Sequence, residues 1–265
     1  LRVDPHAVEL RQTEEDPSPV RAKVAVIATG FGSNLPLQVG LEGPRAIVYG
    51  AQAEVEMEGL RDVEIYLGRA VAPGAFAWVV PLEPGRARVG LTVSKEAPRY
   101  FHGFLRHPAV RDRIRTPEPQ MLLSPIPTEA IRSSVADRVL VVGEAAGQVK
   151  TTTQGGIYYG MFCAAMAAET IEEAIRRDDF RARRLIRYER AWTRAIGQEL
   201  KAGLSLRQLF SELSDSQIDA MVELGEKEDV IALVKRLAQF DWHRELIWSS
   251  LRLPALREMA RGGLW

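Results

Sequence analysis

The sequence predicts an α/β fold with an α+β insert: a partial parallel-sheet domain of nucleotide-binding type, an antiparallel sheet inserted into it, and C-terminal helices. Three observations predict it. Two short, nearly continuous apolar runs, 23–28 and 138–142, suit strands buried on both faces, as in a parallel sheet. Between them, residues 47–95 alternate apolar and polar positions with period two, which marks half-buried antiparallel strands. From Gly156 onward the apolar spacing is helical. On this reading residues 1–46 and 132–176 build the parallel-sheet domain, 47–131 the antiparallel sheet and 177–265 a helical region.

Each element has its own signal. Residues 3–11 read as a strand, and Asp16-Pro17-Ser18-Pro19 as a turn. The run 23–28 ends in Thr29-Gly30. Ala53, Val55 and Met57 alternate with Glu54, Glu56 and Glu58; Val63, Ile65 and Leu67 alternate with Glu64 and Tyr66. In both, the apolar set is expected on the covered face and the other set in water. Residues 75–81 put Phe76, Trp78 and Val80 on one face. Glu83-Pro84-Gly85-Arg86 has Pro and Gly at the second and third turn positions, so strand 87–93 returns beside its predecessor. A short helix is expected over 99–106, then a loop punctuated by Pro117, Pro119, Pro125 and Pro127. Strand 138–142 and a Gly-rich turn lead into a long helix over 156–177. Leu185, Tyr188, Trp192 and Ile196 sit at helical spacing. Leu213-Ser214-Asp215 supplies an N-cap ahead of the apolar run 218–224.

Composition narrows the function classes. The 265 residues carry 35 Lys+Arg against 35 Asp+Glu, so bulk positive charge for nucleic acid is absent and no nucleic-acid partner is expected. One cysteine excludes an internal disulfide and any multi-Cys zinc or iron–sulfur site, and suits a reducing compartment. His6, His102, His107 and His243 show no metal spacing, and no metal is expected. The longest apolar stretch, 157–168, falls short of the roughly 20 residues of a spanning helix. No signal peptide is read at the start, and a cytoplasmic location is expected. The text opens on Leu in mid-pattern, which leads us to expect a natural start further upstream.

Residues 137–160 carry the chemistry. A buried strand ends in Gly143, where the backbone can turn and a ligand can approach. Glu144 follows at the strand's carboxyl end, where open α/β sheets bind ligands, and its carboxylate can accept hydrogen bonds from ribose or ribityl hydroxyls. Gly155-Gly156 then opens a helix whose free N–H groups and positive dipole end favour negative charge. The N1–C2=O edge of a reduced flavin carries such charge. For Gly143-x-x-x-Gly147 alone, an ordinary strand–turn–helix is an equally good account; the whole string is more specific.

Gly143-Glu144-Ala145-Ala146-Gly147-Gln148-Val149-Lys150, then Gly155-Gly156-Ile157-Tyr158-Tyr159, resembles the C-terminal flavin motif of the geranylgeranyl reductase family, FAD-dependent enzymes on the p-hydroxybenzoate-hydroxylase-like fold. Pro73-Gly74-Ala75-Phe76-Ala77-Trp78-Val79-Val80-Pro81, followed by Val89-Gly90, resembles that family's Tyr-x-Trp-x-Phe-Pro segment, which lines the isoprenoid pocket. Val26-Ile27-Ala28-Thr29-Gly30 is similar to the strand-end Ala-(Asp/Thr)-Gly of many FAD proteins. The tail, with Leu213-Ser-Asp215 and Phe240-Asp241-Trp242, also looks like this family. The chain departs from the pattern in Glu144 for Asp, Phe76 for Tyr, Val80 for Phe, and Thr153-Gln154 where the approach often contains Pro or is all Gly. The family's opening strand–Gly-x-Gly-x-x-Gly–helix is not found. Gly30-Phe31-Gly32-Ser33-Asn34-Leu35 has Leu35 for the third Gly, Pro36 against a helix, and no acidic partner near position 50. The chain therefore resembles an N-terminally truncated member that keeps the flavin-ring and substrate side and lacks the main ADP-binding unit, so weak FAD affinity is expected.

The resemblance implies an FAD-dependent oxidoreductase of lipid biosynthesis that reduces C=C bonds of an isoprenoid (geranylgeranyl) group on a lipid or pigment precursor. NAD(P)H or ferredoxin is the implied reductant. It implies cofactor contacts at Thr29, Gly30, Gly143, Glu144, Ala146, Gly147, Gly155, Gly156 and Ile157, and substrate contacts at Phe76, Trp78, Pro81 and Tyr158. It names no catalytic side chain, because the chemistry centres on the flavin. Two alternatives stand beside it: a related flavin monooxygenase on an aromatic substrate, against which the Phe-x-Trp segment and helical tail speak, and a truncated non-catalytic fragment. Tyr158 and Tyr159 cannot both face the core; Tyr158 is read as the one bordering flavin or substrate. Cys163 reads as a small core residue. The Arg-dense run 176–194 reads as a solvated helix face, with attraction to a lipid phosphate or anionic membrane surface, a peripheral contact, as the functional alternative.

Overall fold

The computed structural model describes residues 1–253 apart from 12 and 14–17. Asp16 and Pro17 of the expected turn therefore lie outside the described residues. In chain order the first elements are β1 (Arg2–Val3), β2 (Val8–Leu10), β3 (Val20–Ala22), β4 (Ala25–Ile27) and α1 (Leu35–Gln38). Then come β5 (Ile47–Glu56), β6 (Glu64–Tyr66), β7 (Ala77–Glu83), β8 (Arg86–Val93), α2 (Ala97–Leu105), α3 (Pro108–Arg111) and β9 (Leu122–Pro127). The rest are β10 (Val135–Ala136), β11 (Val139–Val141), α4 (Ile157–Arg177), α5 (Ala182–Glu212), α6 (Asp215–Gly225), α7 (Glu228–Leu237) and α8 (Arg244–Ser250). The chain forms two units, residues 1–47 with 127–204, and residues 48–126 with those from 205 onward. The helical region read over 177–265 is thus shared between them.

In the first unit the two buried runs pair as parallel strands, Val139 with Ala25 through Val141 with Ile27, and β10 adds to β11 as an antiparallel hairpin. The strand read over 3–11 is two strands. The Asp4 carboxylate accepts the N–H groups of His6 and Ala7, at 2.7 and 2.8 Å, and this side-chain turn folds β2 back onto β1. β4 and β11 bury Ile27, Val139 and Val141 against Leu41, Ile131 and Ala145–Ala146. α5 adds Leu185, Tyr188, Trp192 and Ile196, all buried at helical spacing. Trp192 Nε1 donates to Ser134 Oγ at 2.9 Å, and Ser134 N donates to the Glu189 carboxylate at 2.6 Å, so these buried polar groups are paired. The arginines of 176–194 include a cluster on Glu173 and Asp179 at the surface.

The second unit is built on a five-stranded sheet, β6-β7-β8-β5-β9. Ala53, Val55, Val79, Val89 and Leu91 pack one face against Phe101 and Phe104 of α2. Pro84-Gly85 closes the β7–β8 hairpin with Gly85 at φ +80°, as the turn chemistry predicts. β9 forms where a proline-punctuated loop was expected. It lies at the edge of the sheet, where Pro125 and Pro127 need supply no outward donor. β6 reverses the expected alternation: Ile65 is 55% exposed, opposite Trp78, while Tyr66 turns inward. The cause is polar. Glu64 takes a two-pronged ion pair from Arg113 at 2.7 and 2.9 Å and accepts the Tyr66 hydroxyl at 2.7 Å, which fixes both side chains on the inner face. Ser214 caps α6 through a full capping box with Gln217. No helix among the described residues is long and apolar enough to cross a membrane.

Candidate functional site

The carboxyl ends of β4 and β11 lie side by side, so the segments after Ile27 and after Val141 leave the sheet together. Val142 N donates to Ile27 O at 2.9 Å and extends the pair to the point of departure. Residues 143–146 then wind into one 3₁₀ turn that ends at Gly147 in the left-handed region, φ +68°. Any side chain there would also collide with the chain's own backbone, its Cβ lying 2.1 Å from Glu129 O. The turn is braced from behind. Gly143 N donates to Gln148 Oε1, Gln148 Nε2 donates to the Tyr188 hydroxyl, and that hydroxyl donates to Val141 O, each at 2.8 Å, the last two in the interior. Burial drives the Tyr188 phenol far above its ordinary range, so it remains a neutral donor.

Three expected residues from distant stretches meet in front of this turn. A Cβ on Gly30 would lie 3.8 Å from Glu144 Oε2, and one on Gly156 would lie 3.3 Å from Glu144 Oε1 and from Val149. Glu144 therefore stands between the end of β4 and the start of α4. Gly143 and Gly160 pack backbone to backbone, which seats the first turns of α4 on the strand end. Gly156 is the N-cap residue of α4 and brings no side-chain cap, so the positive end of a 21-residue helix opens at Glu144. Gly155 lies over Lys150, whose Cε would be 3.0 Å from its Cβ. A cleft of about 190 Å³ borders the same corner, lined by Gly30, Phe31, Ser33, Asn34, Pro36 and Ala145.

The remaining expected residues sort by position. Thr29 is exposed beyond β4, and Ala146 is fully buried, so only its backbone faces the turn. Ile157 is 82% exposed at the start of α4. Tyr158 is 40% exposed and stacks on Phe162, while Tyr159 is buried: the two tyrosines divide as expected. Cys163 is buried, which pushes its thiol up to about 12 and leaves it unreactive. In the second unit, Phe76 and Trp78 sit together with ring centroids 5.8 Å apart on the face away from α2. Pro81 falls on the opposite face by strand alternation and lines a separate cleft with Leu60, Leu82 and Pro84. Gly90 is the seat of Trp78: a Cβ there would lie 2.4 Å from the indole ring.

No protein-family model matches the sequence. The chain is 34% identical over 228 residues to a digeranylgeranylglycerophospholipid reductase of Methanocaldococcus jannaschii, and 30% identical over 231 residues to digeranylgeranylglycerophospholipid reductase 2 of Methanopyrus kandleri. Both alignments take in 82% of this chain and 58% of the relative. The chain is thus a sequence relative of digeranylgeranylglycerophospholipid reductases. It spans less than two thirds of the length of the curated relatives it matches. In fold it is similar to a geranylgeranyl bacteriochlorophyll reductase-like protein from Thermoplasma acidophilum (TM-score 0.75, 22% identity, 92% of this chain and 62% of that one). A flavin-dependent brominase shares the fold more distantly (TM-score 0.61, 17% identity, 92% of this chain and 65% of that one).

The string 143–160 holds Glu144 and Gly156, but Gly30, which meets them, and two supports lie outside it. Tyr188 is forty residues beyond Gln148. Gly203 is a notch for Thr151, whose Oγ1 would sit 2.2 Å from a Cβ at 203 and which donates to Leu200 O at 3.4 Å. The only sequence signal for either was the helical spacing of α5, which marks a core face and not a brace.

Proposed function

We propose that the chain carries the flavin-ring and isoprenoid side of an FAD-dependent reductase, one that hydrogenates C=C bonds of a geranylgeranyl group on a lipid or pigment precursor. The observation that carries this reading is the meeting of Gly30, Glu144 and Gly156 at the carboxyl ends of two parallel strands, before an uncapped helix start. The residues present fit a flavin. Glu144 presents a carboxylate at the uncapped start of α4, a cleft of about 190 Å³ opens beside Gly30 and Ala145, and the carboxamide of Gln154 buries an Nε2 with no hydrogen-bond partner among the described residues.

FAD, when bound, supplies a hydride for one alkene carbon while the other takes a proton. The backbone N–H groups of Gly156 and Ile157 hold the pyrimidine edge, and the helix dipole behind them favours the charge that reduction places there. Glu144 accepts hydrogen bonds from ribityl hydroxyls. Thr29, Gly30, Gly143, Ala146, Gly147 and Gly155 shape the corner that receives the cofactor, and the missing side chain at Gly30 keeps the space before Glu144 open. In the first unit Tyr158 borders the flavin; in the second, the aromatic surface of Phe76 and Trp78 suits a prenyl chain.

The relatives' names favour a digeranylgeranylglycerophospholipid among the substrates. Electrons arrive from NAD(P)H or a ferredoxin. The protein works on the cytoplasmic side in peripheral contact with its lipid. The test incubates the protein with dithionite-reduced FAD and a geranylgeranyl-bearing glycerophospholipid, and counts added hydrogen pairs by mass spectrometry. Stepwise gain of hydrogen pairs is expected. Unchanged lipid with flavin demonstrably bound would sink the assignment of substrate.

A further inference from the structure

Gln154 occupies a backbone conformation that side chains resist. Its φ is +60°, in the left-handed region that only glycine adopts without strain. Two hydrogen bonds hold it there: Gln154 N donates to Lys150 O at 2.7 Å, and Lys150 N donates to Gly155 O at 3.0 Å. Residues 150–155 therefore close a tight loop immediately before the start of α4. The side chain adds a second penalty. Its Nε2 is buried and has no hydrogen-bond partner among the described residues, a state shared only with Thr92 Oγ1 and Arg184 Nε. Turning the amide over would bury Oε1 in the same place, so the unmet polar group belongs to the carboxamide in either orientation.

Glycine at 154 would remove both penalties at once. A buried amide without a partner is expensive unless a ligand completes it. The pyrimidine edge of an isoalloxazine alternates C2=O, N3–H and C4=O, so it offers both an acceptor and a donor to a carboxamide. We propose that Gln154 is a cofactor-binding residue whose carboxamide hydrogen-bonds the pyrimidine edge of the flavin. The inference rests on the flavin reading above and assigns that contact to a side chain in a loop otherwise made of backbone contacts.

The test uses the 265-residue chain with riboflavin as the probe, as wild type, Gln154→Gly and Gln154→Leu. Flavin fluorescence quenching gives the affinity, absorption gives the bound spectrum, and melting without flavin reports the fold. Both variants are expected to melt no lower than wild type without flavin, to bind riboflavin about 3- to 10-fold more weakly, the range one hydrogen bond supplies, and to shift the bound spectrum. Wild-type affinity and an unchanged spectrum in both variants overturn the inference and leave the flavin reading standing. Variants that melt several degrees below wild type without flavin assign the carboxamide a structural role and overturn it as well. No saturable binding by wild type overturns the flavin reading and this inference together.

Discussion

Gly147 and Gly90 each lack a side chain for want of space, but different things fill that space. At Gly147 it is the chain's own backbone, Glu129 O and Ala130 Cα, with the left-handed φ demanding glycine a second time. At Gly90 the backbone is an ordinary strand, and the space is taken first by the Trp78 ring lying across it and then by the Gln52 side chain of the paired strand. The first unit thus fixes its candidate site through backbone geometry, with strand ends, turn and helix start locked to one another. The second fixes a surface through side chains laid on a regular sheet. Backbone geometry is intolerant of change, whereas a side-chain platform can repack.

Substitutions at these positions should separate the two cases. Gly147→Ala carries the largest expected effect, about 3–5 kcal/mol of lost stability from combined clash and strain, seen as a melting temperature lower by about 10 °C. A Gly147→Ala protein that melts within 2–3 °C of wild type, roughly the shift of 1 kcal/mol, would break the comparison. Gly90→Ala should lose about 1–3 kcal/mol, because Trp78 can swing away. In a Trp78→Ala background most of that loss should vanish, and a double-mutant cycle showing no coupling would mean the ring is not what fills the space.

Tyr188→Phe comes next. It leaves Val141 O and the Gln148 amide short of a buried partner and should lose about 1–3 kcal/mol, with faster amide exchange at Gly143. Normal exchange at Gly143 would show that the turn stands without its brace. The smallest effect concerns Glu64, whose carboxyl is held below the ordinary carboxylate range, first by the Arg113 guanidinium. A folded-state value below the unfolded one stabilises above the unfolded value, and that gain fades as pH falls through the folded value. The stability gap between wild type and Glu64→Gln should therefore be full at pH 7 and shrink below about pH 4. A gap that stays constant with pH would point to packing rather than charge. Tyr66, whose hydroxyl is pushed up to about 12 by burial, stays neutral throughout.

The same contrast explains what could be read in advance. Strands β4 and β11, helix α4 and the Gly85 turn follow from local apolar runs, glycine placement and proline chemistry, and the string 143–160 was legible because its geometry is written in consecutive residues. β6 was read inside out, because an ion pair to Arg113, forty-nine residues away, outweighs the aliphatic alternation of Val63, Ile65 and Leu67. The braces at Tyr188 and Gly203 are hidden for the same reason: each acts through contacts with residues some forty to fifty positions away. In the sequence Thr153-Gln154 is only a departure from an approach that often contains Pro or is all Gly, and the strain at Gln154 is visible only in the backbone angle.

The central claim is that the corner around Gly30, Glu144 and Gly156 receives an isoalloxazine. Amide NMR of the chain under riboflavin titration tests it most directly. The account predicts saturable shifts concentrated at residues 143–147 and 154–158, with little change at β1–β3. Saturable shifts centred elsewhere, or a spectrum unmoved by flavin, would contradict it.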